Sequence, residues 1–206
     1  DDAPRFLNAT RKTMSTLAFT LIPISFLAIC VAKPGFIYFL TDKWIPSIPI
    51  FQILCLASIF TSLTDLNVNF LNIKGSSKFF LRLEIIKVSL AILFLFLTYQ
   101  NGLLMIAVGL LTVRVICFII AAIMSGKVYG YQIWMQAKDL LPTVLVSIVA
   151  AFFAYLPLYL NLITHDLALI IVQTLIFVII YLGASHVLKN DIWLEILGML
   201  KKKLAK

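Results

Sequence analysis

Long runs of apolar residues, parted by short polar and charged clusters, make up nearly the whole chain. A hydrocarbon layer of roughly 30 Å is crossed by about twenty apolar residues in a helix, because a helix satisfies its own backbone polar groups. Measured against that length, the runs predict about six spans, near residues 13–32, 46–73, 79–98, 103–124, 140–162 and 167–187. Arg11 and Lys12 introduce the first, and Lys33-Pro34-Gly35 is expected to end it. Pro23 lies inside this span and should kink it by removing one backbone donor. After a short apolar coda at residues 36–40 comes a Thr41-Asp42-Lys43-Trp44 turn, and Pro46 suits the first turn of the next helix. Lys74-Gly75-Ser76-Ser77-Lys78 and Tyr99-Gln100-Asn101-Gly102 carry turn chemistry between the following spans.

Two segments depart from the pattern. Residues 125–139 are polar and aromatic, with Tyr129, Tyr131 and Trp134, and are expected at headgroup level. In residues 188–206, Ile192, Trp193, Ile196, Leu197 and Leu200 fall on one helical face before Lys201-Lys202-Lys203. That predicts an amphipathic, basic helix lying on the membrane surface.

Composition sharpens the reading. Hydrophobic residues are 62% of the 206 positions and charged ones 13%, with a mean hydropathy of +1.06. Such a chain has lipid as its main solvent, and the fold class expected is an all-α membrane protein. The formal charge of +8 does not point to nucleic acid, since Lys and Arg occur as clusters between apolar runs. Cys30, Cys55 and Cys117 lie within apolar runs without metal-type spacing and read as small buried hydrophobes. No metal, cofactor or catalytic constellation is expected, and the chain does not read as an enzyme. It opens Asp1-Asp2-Ala3-Pro4, without an initiator methionine or a cleavable leader pattern, and is expected to be a fragment of a longer protein.

Charge also predicts sidedness. With the N-terminus in the cytoplasm, the inner segments hold Arg5, Arg11, Lys12, Lys74, Lys78, Arg82, Lys127, Lys138, Lys189 and the lysines of the tail. The outer segments hold only Lys33 and Lys43. The positive-inside rule then puts both ends in the cytoplasm, with an even number of spans.

Polar groups within the spans are the candidates for function. On the second helix Cys55, Ser58, Ser62, Asp65, Asn69 and Asn72 recur at steps of three and four and so share one face. Lipid does not solvate such a stripe. It lines a wet cavity, or it holds helices together through interhelical hydrogen bonds. Asp65, Glu84, Lys87 and Arg114 are the ionisable residues inside spans. Glu84 and Lys87, three apart, can form a local pair. Arg114 lies about 16 Å from either end of its helix, where a guanidinium needs a partner or water. Asp65 or Glu84 is the expected partner.

The stretch Leu40-Thr41-Asp42-Lys43-Trp44-Ile45-Pro46 resembles the Gly/Asp-x-Lys-Trp-x-Pro turn of Wzx-type polysaccharide flippases, in the multidrug/oligosaccharidyl-lipid/polysaccharide exporter superfamily. Asp65-Leu66-Asn67-Val68-Asn69 is similar to that family's Leu-Asn-x-Asn region, and Lys74-Gly75-Ser76-Ser77-Lys78 to its Lys-Gly-Arg-Ser-type turn. Asp1-Asp2-Ala3-Pro4-Arg5 resembles the cytoplasmic loop before the ninth helix. The likeness covers roughly residues 1–140. One departure is Thr-Asp-Lys-Trp in place of the Gly-Glu-Lys-Trp of many members.

The resemblance implies the ninth to fourteenth helices of a two-lobed transporter whose N-terminal lobe lies outside this chain. Its implied activity is translocation of undecaprenyl-diphosphate-linked oligosaccharide, destined for O-antigen, capsule or exopolysaccharide, across the bacterial inner membrane by alternating access. A polymerase and glycosyltransferases of the same pathway are its implied partners. Arg114, then Lys87, would meet the diphosphate. A drug or metabolite exporter of the same superfamily is the alternative, and an integral membrane enzyme acting on lipid-linked sugars is a more distant one.

Overall fold

The apolar runs become six long helices in the computed structural model, which describes residues 2–75, 77–160, 163, 165–188, 192–194 and 198. They are α1 (Asp2–Leu40), α2 (Ile48–Ile73), α3 (Ser77–Thr98), α4 (Leu103–Tyr129), α5 (Ile133–Tyr159) and α6 (Asp166–Val187). Short 3₁₀ turns at Asp42–Ser47 and Tyr99–Asn101 join the first two and the third and fourth. No strand occurs among the described residues. Five of the helical segments are long and apolar enough to cross a membrane, and α3 is the long helix left out of that set. Its first eleven residues contain Lys78, Arg82, Glu84 and Lys87. The chain is an all-α, multi-pass membrane protein.

The helices form two groups. α1, α5 and α6 pack on one another, as do α2, α3 and α4, with α3 meeting mainly α4. α1 joins the groups by lying against α2. Phe19, Val146, Ala150, Ala154, Phe177 and Tyr181 make the core of the first group. Met14, Ile22, Ile59, Leu63, Tyr131 and Leu140 fill the seam between groups. Their outer faces stay apolar, as expected of helices whose solvent is lipid: Ile179 is 68% exposed and Phe152 64%.

Several boundaries differ from those expected. α1 begins at Asp2 and runs unbroken through Lys33-Pro34-Gly35 to Leu40, 39 residues in all. Proline keeps a helical φ and costs a helix one hydrogen bond. The carbonyl left without that donor is the one of Cys30; the preceding carbonyl, of Ile29, accepts from Gln52 of α2 at 3.1 Å. α2 begins at Ile48, with Pro49 rather than Pro46 in its first turn. α4 continues to Tyr129, and Gly130 at φ 81° ends it in the left-handed conformation that glycine adopts without strain.

The segment 125–139, expected at headgroup level, forms a tight corner between α4 and α5. Gly126 lets the backbone of Gln132 come so near that an added Cβ would lie 3.2 Å from its Cα. α5 therefore starts directly against the end of α4. Tyr131 is fully buried there, while Trp134 is 66% exposed. Of the expected surface helix at 188–206, only Leu188, residues 192–194 and Gly198 fall among the described residues. The Trp193 ring lies stacked near Phe19, with centroids 6.5 Å apart. Ile196, Leu197, Leu200 and the terminal lysines lie outside the described residues.

The basic residues gather at one end. The start of α1, the end of α2, the start of α3, the corner between α4 and α5, and with them Arg5, Arg11, Lys12, Lys74, Lys78, Arg82, Lys127 and Lys138, meet there. Lys33 and Lys43 lie toward the other end of α1.

Candidate functional site

Polar contacts between helices concentrate at the basic end. Arg11 of α1 forms a two-point pair with Asp139 of α5: Nε donates to Oδ2 at 2.9 Å and Nη2 to Oδ1 at 2.7 Å. Tyr131 donates its hydroxyl to the same Oδ2 at 2.9 Å. Burial above all, and this bond to a carboxylate, hold the Tyr131 phenol well above its usual range.

One layer deeper, Asn67 of α2 joins three helices. Its amide donates to Gln136 Oε1 at 3.0 Å, and its Oδ1 accepts from Ser125 Oγ at 2.8 Å and from Gln136 Nε2 at 3.2 Å. Tyr129 adds its hydroxyl, 2.8 Å from Ser125 Oγ. Asn67, Ser125 and Gln136 are fully buried. A satisfied buried network of this kind fixes one register between helices, because any slip leaves several polar groups unpaired at once.

The second polar feature is a cleft between α2, α3 and α4. Thr61, Thr64 and Asp65 of α2, Glu84 and Lys87 of α3, and Arg114 and Cys117 of α4 line it. All four intramembrane ionisable residues therefore share one site. The local Glu84–Lys87 pair forms as expected, whereas the carboxylate partner expected for Arg114 does not. Glu84 takes Lys87, three residues on along the same helix. Among the described residues Arg114 has no carboxylate within ion-pair distance, and nor does Asp65 have a cation. The physical reason is local: an i,i+3 pair on one helix forms without bringing two helices together. The formal charge of the lining is zero, and its cavity volume is about 20 Å³, room for about one water.

The α2 stripe lies beside this cleft, with Asp65 belonging to both. Ser58, Asp65, Asn69 and Asn72 are exposed, while Cys55 and Ser62 are half-buried. The Ser58 hydroxyl returns to its own helix, donating to the Cys55 carbonyl at 2.7 Å. Among the described residues of α2, it is Gln52 and Asn67, not the stripe, whose side chains bond to other helices, and Asn67 lies on the opposite face from the stripe. Sequence periodicity does not single out Asn67. Ser125, Tyr129 and Gln136 stand in separate segments, and the Asn67 neighbours Asp65 and Asn69 belong to the more visible stripe.

The cleft, then, combines a guanidinium, an ammonium held by a carboxylate, a second carboxylate and two threonine hydroxyls inside an apolar bundle. Such a set can exchange an internal ion pair for contacts to an anionic group. Among the described residues no cluster of histidine, cysteine and carboxylate groups could hold a metal ion. Compared with family models, with curated proteins and with solved structures, the chain matches none.

Proposed function

We propose that this chain is the C-terminal part of a Wzx-type flippase that carries undecaprenyl-diphosphate-linked oligosaccharide across the bacterial inner membrane by alternating access. One observation carries the reading: Asp65, Glu84, Lys87 and Arg114, from three helices, converge on a single cleft at membrane depth. Isolated charges at that depth are costly, and their convergence in a wet site is the economical arrangement for handling a charged cargo. Arg114 is the group offered to the diphosphate, since its planar fork matches paired phosphate oxygens. Lys87 joins it when the bond to Glu84 opens. The exposed part of the α2 stripe extends the cleft into one wall of a passage, whose other wall is the N-terminal lobe.

The turn after α1 supports the family resemblance independently. Thr41 sits at φ 76° and ψ 166°, a backbone conformation nearly confined to glycine. Glycine is what many members of that family carry at the start of this turn. The gathering of cations at one end of the bundle supports a cytoplasmic location for that end.

The test is complementation of a flippase-null strain with the full-length protein. Wild type restores surface glycan, and Arg114→Met, present in the membrane at wild-type level, does not. Restoration by Arg114→Met would reject the reading.

A second reading, a drug or metabolite exporter of the same superfamily, would use the same cleft, whose volume of about 20 Å³ admits neither a diphosphate nor a drug in this conformation. Under that reading the full-length protein leaves the null strain without glycan and raises its tolerance to cationic drugs.

A further inference from the structure

α3 is 22 residues long, about 33 Å at the helical rise and enough to span hydrocarbon. Its uncharged part is only residues 88–98, about 16 Å. The four charges before it need separate accounts. Glu84 and Lys87 turn into the cleft and pair with each other. Lys78 and Arg82 do neither. Successive helical residues are about 100° apart, so Lys78 and Arg82 share a face with Leu81, Ile85, Ile92 and Phe96. That face is away from the cleft and exposed: Leu81 is 63%, Ile85 66% and Phe96 70% accessible. Among the described residues no acidic group lies within ion-pair distance of Lys78 or Arg82.

We propose that this face of α3 binds an anionic phospholipid, its phosphate held by Lys78 and Arg82 and its acyl chains lying along Ile85, Ile92 and Phe96. The geometry suits that ligand. The cations stand one turn apart, as needed to bracket one phosphate. Arg82 starts about 7 Å inside the end of the helix, and helical side chains lean toward the N-terminus, which directs its guanidinium back to the headgroup layer. A free phosphate ion would leave the apolar part of the face without a role. A lipid uses all of it, and its charge offsets two of the cations that leave α3 out of the set of helices apolar enough to cross a membrane. The inference is independent of what the cleft transports.

The experiment places a photoactivatable benzoylphenylalanine at position 81, between the two cations, in the full-length protein. The protein is reconstituted in vesicles of equal parts phosphatidylcholine and phosphatidylglycerol, irradiated, and its lipid adducts are weighed by mass spectrometry. Phosphatidylglycerol adducts are expected to predominate roughly tenfold, between the about fivefold preference of one cation near an anionic surface and its square for two. In the Lys78→Gln, Arg82→Gln variant the adducts fall to the bulk ratio, whereas Lys43→Gln at the other end leaves the preference intact. Adducts at the bulk ratio in the unmodified background overturn the proposal. So does crosslinking to protein, which would mean that another subunit covers the face. Should the double variant fail to reach the vesicles folded, raising the ionic strength gives a second readout. The preference must then decline with salt.

Discussion

Tyr181 of α6 donates its hydroxyl at 2.8 Å to the main-chain carbonyl of Phe19 in α1. Four residues beyond Phe19 stands Pro23, which has no N–H to return to that carbonyl. The side chain of one helix thus replaces the backbone donor missing from another, at a depth where water is not available to do so. The same contact sets α6 against α1, with the Phe19 and Tyr181 rings 5.3 Å apart.

Tyr181→Phe should therefore lower stability by about 1–2 kcal/mol, the cost of a buried acceptor left unpaired. In a Pro23→Ala background, where the alanine N–H can cap Phe19, the same substitution should cost only a fraction of that. Thermal unfolding of the four proteins in one detergent measures the difference. Equal costs in both backgrounds would show that the hydroxyl is not compensating for the proline.

Asn67→Leu removes the hub of the buried network and leaves Ser125 and the Gln136 amide short of partners. A loss of about 2–4 kcal/mol is expected, since each stranded group bears its own desolvation cost. Adding Gln136→Leu should recover part of it, because polar partners removed together leave fewer stranded groups. A purely additive double variant in the same unfolding assay would contradict the network.

Alkaline pH should weaken the corner between α4 and α5 through Tyr131. Its phenol is held above its usual range in the folded chain, so the unfolded chain releases this proton first as pH rises. Stability from this residue is complete below about pH 10 and declines above it, by at most about 1.4 kcal/mol per pH unit. Tyr131→Phe should flatten that decline without changing its neutral-pH baseline slope. Unfolding midpoints taken from about pH 8 to about pH 11 decide it.

Thr41→Gly should stabilise the protein. A β-branched residue at φ 76°, ψ 166° carries strain of about 1–3 kcal/mol. Glycine relieves it but adds freedom to the unfolded chain, leaving a net gain near 1 kcal/mol. Thr41→Ala, which keeps a Cβ, should gain little. A lower melting temperature for the glycine variant would mean that the turn adopts another conformation.

How far the sequence carried these conclusions varies with the kind of evidence. Hydrophobic run length determines the helices, because solvation by lipid depends on many residues together, and so the fold class was legible. The ends of α1 were not. Whether a proline such as Pro34 ends a helix or is carried within it depends on tertiary packing, and α2 lies against α1 here. The four ionisable residues stood out in an apolar background, and the cleft unites them. The Glu84–Lys87 pair was legible from its i,i+3 spacing; that Arg114 would be left without a carboxylate was not, because that depends on how α3 and α4 approach each other. Asn67 and Gln136 were invisible as partners, 69 residues apart. Tyr131 looked like an interfacial aromatic until Gly126 and Gly130 turned the corner tightly enough to bury it.

The proline in α1 also makes that helix a lever. Arg11 lies twelve residues before Pro23, about 18 Å along the axis, so a bend of about 10° at the proline carries it sideways by about 3 Å. That distance is one hydrogen bond, enough to part a guanidinium from Asp139. A slight flexing deep in the bilayer would in this way be magnified at the water-facing end, where a single contact registers whether α1 and α5 are latched together.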